Sequence, residues 1–120
     1  MTTSNDYAFV KEGKLILKAV KHADGYHTGG VESFKKFSFK YGKVEVKAKL
    51  SSGQGTWPAI WMMPEKSVFG DWPRSGEIDI MEHLNNDTKT YQVIHSYYVD
   101  NLGIKNDPAN SHTPAFSGSQ

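Results

Sequence analysis

Polar and apolar residues alternate most cleanly at residues 43–50, where Val44, Val46, Ala48 and Leu50 interleave with Lys43, Glu45, Lys47 and Lys49. That period of two predicts an antiparallel strand with one wet face, the clearest strand in the chain. Residues 14–20 predict another, followed by a turn around Asp24-Gly25, and Phe34, Phe37 and Phe39 read as core ahead of the 43–50 strand. Ser51-Ser52-Gly53-Gln54-Gly55 is a flexible turn out of it. Residues 57–63 and 76–82 are the next two strands, with residues 64–75 as a loop between them. Residues 91–98 are a further strand, with Tyr91, Val93, His95 and Tyr97 on one face. After Asp100 the pattern fades into Asn, Gly, Pro, Ser and Thr, and only Ile104 and Phe116 look like anchoring groups. There are no repeats, no heptads and no amphipathic helix, so the predicted class is all-β.

Glu77-Ile78-Asp79-Ile80-Met81-Glu82 departs from an ordinary buried strand. Alternation puts Glu77 and Asp79 on one face and directs Ile78 and Ile80 into a core. A strict period of two would send Glu82 to the Ile face, where an unpaired charge is costly to bury. One extra residue at Met81, a β-bulge, returns it beside the other two acids. Such a row of like charges opposes folding and makes one carboxyl hard to ionise. Glycoside hydrolysis needs that arrangement: one carboxylate to attack, one carboxylic acid to protonate the leaving oxygen. The bulged strand carries Glu77 and Glu82 roughly 13 Å apart at Cα, and side chains leaning together could narrow the carboxyl gap to the roughly 5 Å of a retaining enzyme. Asp79 between them could hydrogen-bond to Glu77, while its charge keeps the proton on Glu82. An acidic solvent-facing strand and a calcium site, which also gathers carboxylate oxygens, stay open on the hexapeptide alone.

Three motifs precede the acids: Phe39-Lys40-Tyr41-Gly42-Lys43-Val44-Glu45-Val46, Gly55-Thr56-Trp57-Pro58-Ala59-Ile60-Trp61-Met62 and Trp72-Pro73-Arg74-Ser75-Gly76. In this order and spacing, from about residue 15 to about residue 98, the chain resembles glycoside hydrolase family 16, which includes laminarinases, lichenases, agarases and carrageenases. The resemblance implies a curved antiparallel β-sandwich of the concanavalin-like jelly-roll type, with a sugar-binding cleft on its concave face and a retaining mechanism. It implies Glu77 as nucleophile, Asp79 as assisting acid and Glu82 as general acid/base. The two residues between Asp79 and Glu82 place the chain with the bulged branch of the family. No cofactor is implied, and a structural calcium ion is not readable from the sequence.

Trp57, Ala59 and Trp61 fall on one face of their strand. Trp61 and Trp72 read as platforms for pyranose rings, and Trp57 as core. Arg74 is a candidate donor to substrate hydroxyls or an ion partner of the acids. His95 is placed to hydrogen-bond to Glu82 or to substrate. Asn85 and Asn86 fit a turn.

Composition narrows the partners. The 120 residues allow one domain at most, and a formal charge of +1 without a dense basic cluster argues against nucleic acid. Lys43, Lys47 and Lys49 read as a solvated stripe. Cysteine is absent, so there is no disulfide framework. No membrane span or export leader is visible, and Met1-Thr2-Thr3-Ser4-Asn5-Asp6 is polar. The sequence thus predicts a retaining endo-hydrolase of β-1,3- or mixed β-1,3/1,4-glucan, working outside the cell, in the periplasm or at the cell surface. An algal galactan is the second substrate class, and a non-catalytic carbohydrate-binding sandwich the second function. Against the family pattern the opening strand ahead of Leu15 looks missing and nothing after Asp100 reads as strand. The expectation is therefore a partial catalytic domain whose cleft is completed by further residues or a second chain.

Overall fold

The computed structural model describes residues 4–105, 109 and 111–115, in two compact units, residues 1–40 and 41–120. In the first unit β1 (Ala8–Lys11) and β2 (Lys14–Leu17) form a hairpin closed by Glu12-Gly13, both with positive φ, as a tight two-residue turn requires. A strand therefore does precede Leu15, contrary to expectation. The segment read as one strand over residues 14–20 is divided. Lys18 donates its N–H to the Tyr7 carbonyl and accepts from Gly29 N–H, handing the chain from one partner to the next. Beyond it β3 (Ala19–His22) pairs with β4 (Gly25–Thr28), with the expected turn at Ala23-Asp24.

The second unit is built on one antiparallel sheet in the order β5 (Ala59–Met62), β6 (Glu77–Glu82), β7 (Tyr91–His95), β8 (Ser111–His112). β5 is shorter than the predicted 57–63 because Pro58 cannot donate to a ladder. β7 stops at His95, where Ser96 caps a single helical turn, α1 (Tyr97–Asp100), by accepting from Val99 N–H. Thus residues 97–98 are helical rather than extended, and β8 is a strand after Asp100 that the polar composition concealed. Phe116 lies outside the described residues, as do residues 1–3 of the polar start.

Two sequence expectations fail. Residues 43–50 form no strand: alternation prepares an amphipathic segment, but a strand exists only where another segment accepts its hydrogen bonds, and no described residue pairs with this one. Nor is there a closed core, for no hydrophobic side chain among the described residues is fully buried. Phe34, Phe37 and Phe39 are exposed, with Phe37 against Phe39, and Ile78 and Ile104 are also exposed. Among the described residues the one fully buried large side chain is His83, whose Nδ1 and Nε2 lie 3.1 and 2.8 Å from the carbonyls of Ser51 and Asp87. Together with bonds from Gly53 N–H to Asn85 O and from Asn85 N–H to Thr56 O, this fastens residues 51–56 to the end of β6. Asn85, at positive φ, also accepts from Gly55 N–H through its side chain, the turn role expected of it.

Candidate active site

The bulge in β6 decides which side chains meet. Against β7, Glu77 stands opposite His95, Asp79 opposite Val93 and Glu82 opposite Tyr91, so two residues of β6, Ile80 and Met81, span the single step at Gln92. Against β5, Trp61 pairs with Asp79 and Ile60 with Met81, which leaves Ile80 as the supernumerary residue on that side rather than Met81. Directly paired residues share a face, so the three acids lie together with Ala59 and Trp61 on one flank and His95 on the other. They open on a cavity of about 140 Å³ lined by Trp57, Ala59, Trp61, Glu77, Asp79 and Glu82.

Each outer acid is held by an indole. Trp72 Nε1–H donates to Glu77 at 2.6 Å, and Trp57 Nε1–H donates to Glu82 at 2.8 Å. Trp57 is therefore not core: it is 65% exposed and belongs to the site. Its same-face spacing with Ala59 and Trp61 was the sequence signal for this. Trp72 reaches Glu77 from the loop before β6, where Ser75 Oγ donates to the Gly70 carbonyl and accepts from Phe69 N–H. Its indole also packs at a tilt against His95, with ring centroids 5.5 Å apart. Trp61 is half-exposed on the cavity wall, free to offer a ring face to a sugar.

The central acid has a different partner from the one expected. Asp79, 5% exposed, meets His95 Nε2 at 3.2 Å and makes no hydrogen bond to Glu77. Nor does His95 bond to Glu82; its Nδ1 lies 2.9 Å from Asp100, which also accepts from Ser96 N–H. Sequence reading passed over Asp100 because it sits where the strand pattern ends, although Ser96 and Asp100 at i, i+4 fit one helical turn. Arg74 is not on the acids, since its guanidinium lies 4.4 Å over the Tyr97 ring.

These contacts set proton affinities. Burial, followed by the charges of Glu77 and Glu82, raises the Asp79 pKa above its ordinary 3.8, with His95 opposing. Burial pulls His95 down, but its hydrogen bond to Asp100 and the charges of Asp100, Asp79 and Glu77 outweigh that and leave it above 6.5. Asp100 is lowered: burial would raise it, and the hydrogen bonds from His95 and Ser96 with the His95 charge prevail. Asp79 is thus a raised carboxyl of the site. Asp79 is the acid that the sheet buries.

Against known proteins, the family model "Glycosyl hydrolases family 16" matches residues 1–117. The chain is similar to a keratan-sulfate endo-1,4-beta-galactosidase from Sphingobacterium multivorum, 50% identical over 84% of this chain and 25% of that protein. It is also similar to glucan endo-1,3-beta-glucosidase A1 from Niallia circulans, 42% identical over 68% of this chain and 13% of that protein. Among solved structures it is similar to the laminarinase catalytic domain from Thermotoga maritima, with TM-score 0.73 and 33% identity over 95% of this chain and 47% of that one. The chain thus spans a quarter or less of those two relatives and just under half of the laminarinase domain, whose antiparallel jelly-roll fold it shares. From the family model and the relatives together, this chain belongs to family 16 of the glycosyl hydrolases.

Proposed function

We propose that the protein is a retaining endo-glycoside hydrolase of β-1,3- or mixed β-1,3/1,4-glucan, with Glu77 as nucleophile and Glu82 as general acid/base. The observation that carries this is the convergence of three carboxyl groups on one cavity, the outer two each held by an indole N–H. Glu77 attacks the anomeric carbon while Glu82 gives its proton to the departing glycosidic oxygen. Water then breaks the glycosyl–Glu77 ester, and Glu82 takes the water's proton back. Asp79 lies between Glu77 and Glu82, and burial with their charges raises its pKa. His95, held at its other nitrogen by Asp100, opposes that shift.

Trp61 and Trp72 serve as sugar platforms, and a polymer substrate places the enzyme outside the cytoplasm or at the cell surface. Because the chain spans just under half of the laminarinase domain, full turnover calls for the remaining cleft, from further residues in cis or from a second chain. Similarity to the Sphingobacterium endo-1,4-beta-galactosidase makes a galactan the second substrate class. A reducing-sugar assay on laminarin, barley mixed-linkage glucan, agarose and keratan sulfate, on the longest form of the protein that expresses, tests the reading. Release from the glucans and its loss in Glu77→Ala are expected. Sugar binding with no release would leave a carbohydrate-binding module instead.

A further inference from the structure

Asp100 does not line the acid cavity, yet one imidazole ties it to the acids. β7 ends at His95, and the single turn of α1 folds the chain back so that Asp100 stands beside that histidine. Both carboxylate oxygens are committed there: Oδ1 lies 2.9 Å from His95 Nδ1, and Oδ2 accepts from Ser96 N–H at 2.8 Å. The Ser96 carbonyl accepts in return from Asp100 N–H at 2.9 Å, so backbone and side chain close the turn on each other. Beyond it Leu102 and Ile104 donate their N–H groups to the carbonyls of Tyr97 and Tyr98, which fastens the turn from its far side. The Asp100 carboxylate is thus a fixed acceptor, with its side chain only 20% exposed.

An ionised carboxylate only accepts, so the bond to Asp100 puts a proton on His95 Nδ1. Nε2 is then the nitrogen presented to Asp79, 3.2 Å away. It meets Asp79 either as the N–H of an imidazolium facing a carboxylate or as a bare nitrogen facing a protonated carboxyl. One proton lies between the two groups in both cases. A neutral ring without Asp100 is free to carry its single proton on Nε2 instead, or to turn away from β6. The Trp72 indole, tilted against the ring while it donates to Glu77, limits that turning from one side, and Asp100 limits it from the other. Each charged group acting on His95 is a carboxylate: Asp79 and Glu77 from β6 and Asp100 from α1. His112 of β8 stands opposite Gln92 instead, and the Arg74 guanidinium lies over Tyr97.

We propose that Asp100 is a positioning residue of the hydrolase: by holding His95 Nδ1–H it fixes the tautomer and the angle at which Nε2 meets Asp79 between the two glutamates. This rests on the glycosidase reading above and extends the site from the sheet to the turn that follows it.

The test compares laminarin hydrolysis by the longest form of the protein that expresses, unaltered and as Asp100→Ala, His95→Gln and the double variant, with NMR of the histidine ring nitrogens alongside. Asp100→Ala should lower kcat about tenfold with KM changed less than about twofold, and should move the alkaline limb of the pH-rate profile to lower pH. In the His95→Gln background the same substitution should cost less than about twofold, because it acts only through that ring. The ring nitrogens separate this proposal from the glycosidase reading: if the unaltered protein leaves laminarin intact, that reading fails, and the His95 signals still decide the positioning. Nδ1 should be protonated across neutral pH in the unaltered protein, and Asp100→Ala should mix the two tautomers. Should Asp100→Ala fail to fold, the tautomer in the unaltered protein decides. Equal losses of kcat with and without His95, an alkaline limb that Asp100→Ala leaves unmoved, or a bare Nδ1 on His95 in the unaltered protein would overturn the proposal.

Discussion

Asp79 joins two opposed influences, since burial and flanking carboxylates push it toward the neutral form while His95 pulls it toward the charged one. Because His95 is raised in the folded protein, the stability from its ion pairs is fully present below its unfolded value of 6.5. It is lost as pH rises through the folded value. Asp100 acts in the other direction: being lowered, it stabilises above 3.8, and that contribution is lost as pH falls through its folded value. The thermal midpoint should therefore decline on the alkaline side of 6.5, and Asp100→Asn should shrink that decline because His95 loses its strongest supporting contact. An alkaline limb that Asp100→Asn leaves unmoved would mean that the pair does not set it. The indoles make a second residue-level prediction. A charge-assisted bond is worth about 1.5–3 kcal/mol, so Trp57→Phe, which keeps an aromatic ring and removes the donor to Glu82, should lower kcat about tenfold or more with little change in KM. Glu77→Ala should abolish hydrolysis, with azide restoring turnover of an aryl glycoside as a glycosyl azide of inverted configuration. Rescue of Glu82→Ala alone would exchange the two roles.

The bulge in β6 and the pin at His83 are where element and site are joined. The bulge was legible because three acids in six residues, two of them an odd number apart, cannot share a face on a regular strand. The indole and histidine contacts were not legible, since they depend on how a loop and a helical turn fold back on the sheet, which periodicity does not encode. The strand expected at 43–50 failed for a related reason: alternation along one segment carries no information about whether another segment lies beside it. His83 was passed over because a lone histidine after a strand has no pattern at all. Yet its buried ring bridges the carbonyls of Ser51 and Asp87 and so holds the turn that precedes Trp57. Replacing it by Ala strands two acceptors and opens a void, so His83→Ala should cost about 2–4 kcal/mol in denaturant unfolding. A loss under about 0.5 kcal/mol would show that the turn is held by the Asn85 contacts alone.

On the scale of the whole molecule, one face of the second unit's sheet carries the acids and the other carries Ile78, Ile80 and Ile94 around a cavity of about 370 Å³. Ile78 and Ile94 are about half exposed, as are Val46 and Leu15, where a complete sandwich would bury such residues. Apolar surface of this kind binds hydrophobic dyes and other copies of the same chain. The segment over residues 43–50 adds apolar side chains with no ladder partner among the described residues. The isolated 120 residues should therefore bind anilinonaphthalene sulfonate, elute as mixed oligomers in size-exclusion chromatography and hydrolyse polysaccharide poorly. A longer form that supplies strands over the isoleucine face should lose dye binding and gain glucanase activity together, because the strands that cover the apolar face also complete the sandwich that carries the cleft. A monomeric 120-residue chain that binds no dye and turns over laminarin at ordinary enzyme rates would show instead that this sheet is sufficient alone.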